Sequence, residues 1–448
     1  MKHPEPHPNV DTTEHLVRRT MRLSVLEGVP AMGFIVWTGG SVLTGYALYL
    51  HATPAQLGLL GGMPLVAQAL TPLIAYLAGR AGRRKPLALL TAGVGRGLWI
   101  LAPLILLLPE HLRLWALLAL IGLSNVFIAA NGTLWFSWMG DVVPEKQRGR
   151  YFGFRGGLHG MIGMLCALLG GLALDHLPSP LKFQVMLTAA VVCGLLAVVL
   201  LSLHWEPPHA TERLGLRETL TAPLHDRNFR RFIVLQAYWA LAWNLAAPFM
   251  LPYFYGELHL HFTQGAIYSA LVATLGMVLM PQWGRVADRV GHKPVFTIAA
   301  VGAGSALPLV WTLAAPGQPW IVWVSALFDA TAAGAGGAAL ANLALANAPR
   351  ERRSAYMAVM GVATGVVGFL AATIGGQIIA HVGTQGVNLG PVHLTGYHLV
   401  FLVAALLRTQ VWRFVRTFEE LGAWRARDVL RPRALGGRLS RDVSSPTK

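Results

Sequence analysis

Gly284-Arg285-Val286-Ala287-Asp288-Arg289-Val290-Gly291-His292-Lys293-Pro294 is a short charged turn set between two long apolar runs, 262–283 and 295–315. Gly284 lets a neighbouring helix come close, Asp288 sets a carboxylate at the edge of an apolar layer, and Gly291 with Pro294 ends one helix before the next. Each flanking run has the roughly 20 apolar residues needed to cross the hydrocarbon core of a bilayer. The stretch therefore reads as the tight connection between two membrane spans.

The rest of the chain has the same character. Of 448 residues, 54% are hydrophobic and only 12% are charged, whereas a soluble chain carries about 25% charge. Mean hydropathy is +0.52. The apolar runs predict an all-α membrane protein with twelve transmembrane helices, near 23–50, 54–78, 86–108, 112–140, 151–174, 181–204, 232–255, 263–283, 294–315, 320–346, 354–382 and 397–414. The segment 1–20 is polar, rich in His and Pro, and shows no signal-peptide pattern.

The net charge of +16 would suit a nucleic-acid partner, but its distribution does not. With the amino terminus placed inside, 32 of the 36 Lys and Arg fall on one side of the membrane, in the two tails and in the loops at 80–85, 146–155, 213–231, 285–293 and 350–353. Arg113 and Lys182 fall on the other side, and Arg96 and Arg408 lie within spans. This is the positive-inside rule, and it places both termini in the cytoplasm of a multi-pass cell (inner, cytoplasmic) membrane protein. The expected partner is the lipid bilayer, not nucleic acid. The two cysteines, Cys166 and Cys193, sit inside spans and mark neither a disulfide framework nor a metal site. Arg outnumbers Lys 30 to 6, which fits a GC-rich bacterial genome.

The chain also repeats itself. Val25-Leu26-Glu27-Gly28 aligns with Val234-Leu235-Gln236-Ala237 at an offset of 209, and Gly79-Arg80-Ala81-Gly82-Arg83-Arg84 aligns with 288–293 at the same offset. The run from Pro144 to Tyr151 aligns with that from Pro349 to Tyr356 at 205, which still holds for Gly170-Gly171 against Gly375-Gly376. A six-helix unit therefore occurs twice in one orientation. The expected organisation is a tail (1–22), a first half (23–204), a linker (205–231), a second half (232–416) and a tail (417–448).

The pattern Gly-x-x-x-Asp-Arg-x-Gly-x-Lys of 284–293 resembles the cytoplasmic loop signature of the major facilitator superfamily, and 140–155 is similar to the loop between the fourth and fifth helices of its bacterial members. The resemblance covers essentially the whole chain except the tails. It implies two pseudo-symmetric six-helix halves related by an axis along the membrane normal, working by alternating access. It also implies a conformational lock in which Gly284, Asp288, Arg289 and Gly291 close on the start of the fifth helix near Arg148, because a carboxylate suits a positive helix N-terminus. The first copy departs from the signature, with Ala75 and Gly79 where Gly and Asp are wanted. The antiporter run of the fifth helix is not intact, with Cys166 and Ala167 ahead of Gly170-Gly171, and Glu206-Pro-Pro only faintly matches the sugar-porter segment after the sixth helix. Neither transport subclass is supported by its own signature.

Ionisable groups deep in a bilayer are costly, by about 2.5–3.5 kcal/mol on insertion scales, so each needs a reason. Asp329 lies about 14 Å below the outer end of its helix at 1.5 Å per residue, a candidate for proton coupling or cation binding, against the bland reading of an acid paired for stability. Arg96, also at mid-depth, suits an anionic substrate group or a pair with Asp329 or Glu27. Glu27 suits proton coupling or a pair with an arginine such as Arg155, and its repeat mate Gln236 is uncharged. Asn125, Asn131 and Asn244, with Gln68 and His159, can line a central cavity or serve as polar glue between helices. Trp37, Trp135, Trp138, Trp239 and Trp243 can stack on a substrate or anchor span ends.

No Walker-type phosphate loop, HExxH, Cys/His zinc spacing or nucleophile elbow is present, so neither an ATPase engine nor an enzyme is expected, and no cofactor. The expectation is a monomeric secondary active transporter of a small organic solute, coupled to protons through Asp329 or Glu27. The alternatives are an efflux pump for amphipathic or drug-like compounds, an uncoupled facilitator, and a non-transporting sensor or lipid-handling protein on the same scaffold.

Overall fold

In the computed structural model the described residues are 10–80, 83–208, 221, 223–314, 320–349, 352–383, 386–389, 392–420 and 423–424. Among them twelve helices are long and apolar enough to cross a membrane. The first half holds α1 (Thr13–Tyr49), α2 (Pro54–Ile74), α3 (Arg84–Leu107), α4 (Glu110–Val142), α5 (Glu145–His176) and α6 (Leu181–Ser202). The second holds α7 (Arg227–Gly256), α8 (Phe262–Val290), α9 (His292–Leu313), α10 (Ile321–Asn347), α11 (Ala355–Val382) and α12 (Gly396–Val415). A small antiparallel hairpin, β1 (Val387–Leu389) and β2 (Val392–Leu394), pairs Val387 with Leu394 between α11 and α12. This is the all-α, twelve-helix membrane protein the apolar runs predict. The tail residues 1–9 and 425–448, the linker residues 209–220, and residues 81–82 and 350–351 of the repeated loops lie outside the described residues.

Several helices run past the expected spans because hydropathy marks the hydrocarbon crossing, while a helix continues until something caps it. The first helix opens at Val10. The seventh opens at Arg227 because the Asp226 carboxylate accepts from the backbone N–H groups of Asn228 (2.9 Å) and Phe229 (3.0 Å). Each half also closes its third helix with the segment that follows its own last helix. The Glu206 carboxylate accepts from Arg84 N (2.6 Å) at the start of α3, and Glu420 accepts from His292 N (3.0 Å) and Lys293 N (2.7 Å) at the start of α9. Lys85 donates to His204 O (2.7 Å) and Lys293 to Phe418 O (2.6 Å). The glutamates and their carbonyl partners repeat at an offset of 214, which differs from the 205–209 of the sequence repeats.

Two spans are broken near mid-length. α1 is interrupted at Thr38-Gly39, and α7 at Leu245-Ala246, where a 3-10 turn (Ala247–Phe249) intervenes. α9 and α10 each carry a π segment, Ala299–Ala303 and Ala330–Gly336, and such bulges frequently mark functional sites.

The buried cores show how the halves meet. The end of the molecule that carries the basic loops is called here the basic end. At the opposite end one continuous core draws on both halves, with Tyr46, Trp99 and Phe183 from the first and Phe249, Tyr253, Trp311 and Phe401 from the second. At the basic end there are two separate cores. One is built on Trp138, Met139 and Tyr151 of the first half, the other on Phe232, Phe296 and Phe418 of the second. α2 packs closely on α11 at the opposite end, where a Cβ on Gly58 would sit 2.5 Å from Ala372 O and one on Gly376 2.6 Å from Pro54 O. Only glycine permits that approach. The halves share one core at the opposite end and keep separate cores at the basic end.

Candidate functional site

Charge is gathered in the first half around Glu27, which is 3% exposed. Its carboxylate lies 3.4 Å from Arg96 and 3.5 Å from Arg155. Arg155 also stacks on Trp135, 4.2 Å from the ring centroid, and donates to Ser24 O (3.3 Å). A buried carboxylate between two guanidiniums leaves the cluster with one net positive charge. Arg96 is thus paired with Glu27 within its own half and not with Asp329. His159 packs on Gly28 with Nε2 3.1 Å from Val25 O, the arrangement of a packing residue.

Asp329 stands at the head of the π segment of α10. Its carboxylate accepts from the Tyr268 hydroxyl (3.3 Å). That hydroxyl is 3.0 Å from Ser325 Oγ, which also accepts from Trp311 Nε1 (3.0 Å). No ion pair reaches Asp329 among the described residues.

Arg408 had no role in the sequence reading beyond lying within a span. It is fully buried and donates to Ala242 O (3.1 Å), Trp243 O (3.3 Å) and Gly304 O (2.9 Å), while its guanidinium lies 4.6 Å from the Trp243 ring centroid. The first two carbonyls sit where α7 breaks, and the third lies four residues before Pro308, which has no N–H to give it. A helix break strands carbonyls that lipid cannot satisfy, and Arg408 satisfies them.

In front of that break lies a cavity of 420 Å³ between the halves. α2 supplies Leu65 and Gln68, α7 supplies Gln236, Trp239, Trp243 and Asn244, and α10 and α11 complete it with residues that include Thr364. Of the asparagines expected near the centre, only Asn244 reaches it. Asn125 donates to Ile121 O (2.9 Å) in its own helix, and Asn131 bridges to Ala88 O (3.0 Å) of α3. Among the tryptophans, Trp239 and Trp243 line it. Trp138 Nε1 donates to Trp205 O (3.0 Å), and Trp37 Nε1 donates to Cys166 O (2.8 Å) beside a separate 340 Å³ cavity between α1, α5 and α8.

The joined end is held by an acid that the sequence did not single out. Asp175, at the end of α5, accepts from the backbone N–H groups of Phe262 (2.9 Å) and Thr263 (2.8 Å) at the start of α8. Beside it, Ser41 Oγ and the Tyr255 hydroxyl are 2.6 Å apart. Both contacts run between the halves.

The sequence profile of the Major Facilitator Superfamily matches residues 30–372, with a second match at 233–421. The chain belongs to the Major Facilitator Superfamily. It is 25% identical over 240 residues to the multidrug resistance protein MdtG of Salmonella arizonae, a match covering 52% of this chain and 56% of MdtG, so it spans little more than half the length of that relative. Among solved structures it is similar to the nucleoside transporter NupG, with a TM-score of 0.63 and 14% identity over 90% of this chain and 99% of that one. It is likewise similar to a D-xylose–proton symporter, with a TM-score of 0.66 and 14% identity over 89% and 99%. At such identity the two structures speak to the fold alone.

The loop at 284–293 carries none of the contacts expected of a lock among the described residues. Gly284, Asp288 and Arg289 are exposed, and among the described residues no hydrogen bond or ion pair joins them to the start of α5. Arg148 is held instead by Gly140 O (2.6 Å), Val143 O (3.2 Å) and Glu145 (3.7 Å). Gly291 takes φ +94°, which its missing side chain allows, and Trp424 N donates to Val290 O (2.9 Å) across it.

Proposed function

We propose that the protein is a secondary active transporter that moves a small organic solute across the cell membrane by alternating access, coupled to protons. The division of the core carries this reading: one core shared by both halves at the opposite end, two separate cores at the basic end, and a cavity between them that holds a few neutral polar groups. By the positive-inside rule the basic end is cytoplasmic, so both termini lie in the cytoplasm and the state described is open inward. The halves need only rock about their contact to exchange which end is sealed.

For coupling, the surroundings of the two buried acids favour Asp329. Glu27 is clasped by two guanidiniums and cannot take a proton without giving up an ion pair. Asp329 has a hydroxyl partner and can take one without that loss. Glu27 with Arg96 and Arg155 then serves as the clasp that binds α1, α3 and α5 into one rigid body. MdtG, by its printed name, is a multidrug resistance protein, and that likeness keeps efflux as the second reading.

The test is transport in sealed proteoliposomes with an imposed pH gradient. Asp329→Asn is expected to abolish gradient-driven accumulation while leaving exchange of labelled for unlabelled solute intact. Accumulation at the wild-type level by Asp329→Asn would overturn the assignment.

A further inference from the structure

The 420 Å³ cavity has a lining without charge, and this limits what it can hold. Its polar side chains are the amides of Gln68, Gln236 and Asn244 and the hydroxyl of Thr364. Its flat walls are Trp239 and Trp243, whose ring centroids lie 5.5 Å apart at 43°. The Asn244 amide nitrogen donates to Ala240 O (2.9 Å) and the Thr364 hydroxyl to Met360 O (2.9 Å), so both side-chain oxygens keep lone pairs for a ligand. Among the described residues Gln236 Nε2 meets only the Met360 sulfur at 3.5 Å, a weak acceptor, and keeps both donor and acceptor capacity. Arg408 touches Trp243 but is itself fully buried, with three carbonyls on its guanidinium, and is not part of the lining. Neither Asp329 nor any member of the Glu27 cluster lines it.

A charged solute entering this space would shed water and meet no counter-charge, which is strongly unfavourable. A flat ring gains contact with the indoles, and groups on its edge gain hydrogen bonds from the amides. The repeat sharpens the contrast, because Gln236 occupies the position that Glu27 holds in the first half. One half carries charge at that position and the other lines a neutral cavity. We infer that the substrate is an uncharged, ring-bearing solute with hydrogen-bonding groups on its edge, held between Trp239 and Trp243 and the amides of Gln68, Gln236 and Asn244. This rests on the transport reading, since it takes the cavity to be the substrate site. Gln68 comes from the first half and Asn244 from the second, so a solute bonded to both ties the halves together.

The indoles would also attract an organic cation, so the decisive comparison is between neutral and charged probes. The experiment measures binding to the purified full-length protein by tryptophan fluorescence and thermal shift. Uridine and xylose are the neutral ring-bearing probes, tetraphenylphosphonium the cation and benzoate the anion. The expected result is saturable binding of a neutral probe, weakened at least tenfold by Asn244→Ala and by Gln68→Ala, with the melting temperature of each unliganded variant unchanged. Binding of tetraphenylphosphonium or benzoate weakened tenfold by the same two substitutions would overturn the inference. So would the absence of any neutral probe whose binding depends on these amides. Flux separates the two claims. A neutral probe that binds in this way but never crosses sealed liposomes sinks the transport reading and leaves the site assignment standing. A charged solute that is transported through the same amides does the reverse.

Discussion

Arg408 shows what a buried charge can do when no carboxylate is bonded to it. Its three hydrogen bonds run to two carbonyls at the break in α7 and to Gly304 O, which Pro308 leaves without a helical donor. Arg408→Met keeps the apolar stem but takes the donor from Ala242 O and Gly304 O, each costing roughly 1–3 kcal/mol when left unsatisfied, while Trp243 O still accepts from Ala246 N (3.4 Å). The variant is expected to lose roughly 3 kcal/mol or more, read as a lowered melting temperature of the purified protein, and an unchanged melting temperature would contradict this. His204 gives a pH-dependent counterpart outside the spans. Burial holds its imidazole below the usual histidine range, with the backbone carbonyls of Leu200 and Leu201 acting the other way. Its Nε2 is buried without a partner among the described residues. The folded protein therefore binds this proton less readily than the unfolded chain. The stability it contributes is present above the ordinary histidine value of about 6.5 and is lost as the pH falls through the lower folded value. His204→Gln should flatten the fall in melting temperature between neutral and acidic pH, and an equal fall in the variant would count against the assignment. At this scale the sequence was partly legible. An intramembrane Glu27 with Arg96 and Arg155 in nearby spans announced an ion pair, because charge in lipid seeks charge. Arg408 announced only its presence, since nothing local ties it to the Gly304 carbonyl that Pro308 frees or to the break in α7.

Among the elements, the two ends of the molecule carry different chemistry. Asp175 caps α8 from the other half at the sealed end, while Asp288 is exposed at the open one. Their removal should push the conformational equilibrium in opposite directions. Asp175→Ala removes two bonds present only when the opposite end is closed and should disfavour the inward-open state by about 1 kcal/mol, roughly a fivefold population change. Asp288→Asn leaves this state untouched and weakens the lock available when the basic end closes, so it should favour the inward-open state. Accessibility of a cysteine placed at the basic end reads both, and shifts in the same direction would refute the assignment. The superfamily loop was readable because glycine, aspartate and proline between apolar runs have few other uses. Asp175 was not readable, because a carboxylate at a helix end looks like a solvated surface group until the fold brings α8, 87 residues on, to meet it. Glu206 and Glu420 escaped for a related reason. Their capping of α3 and α9 repeats at an offset of 214, and the extra residues lie in loops that an alignment of the spans passes over.

For the whole molecule, duplication explains the frame and divergence explains the function. Both halves build six helices, break their first helix and close their third helix with the segment that follows their sixth. The first half then fills the duplicated inner position with Glu27 and its two arginines, and the second with Gln236 at the edge of a neutral cavity. Twelve spans, their duplication and the polarity of their loops followed from hydropathy and charge, which are summed over many residues. Which end is sealed did not, because hydropathy and loop charge read the same whichever way the halves meet. The measurement that bears most directly on the account is a pair of spin-label distances in a Cys166→Ala, Cys193→Ala background reconstituted in lipid. Lys146→Cys with Arg289→Cys spans the halves at the basic end, and Glu110→Cys with Gly256→Cys spans them at the opposite end. Alternating access predicts that a bound solute or a lowered pH moves the two distances reciprocally, the first shortening as the second lengthens. Two distances that stay fixed under every condition, or that change together, would contradict it.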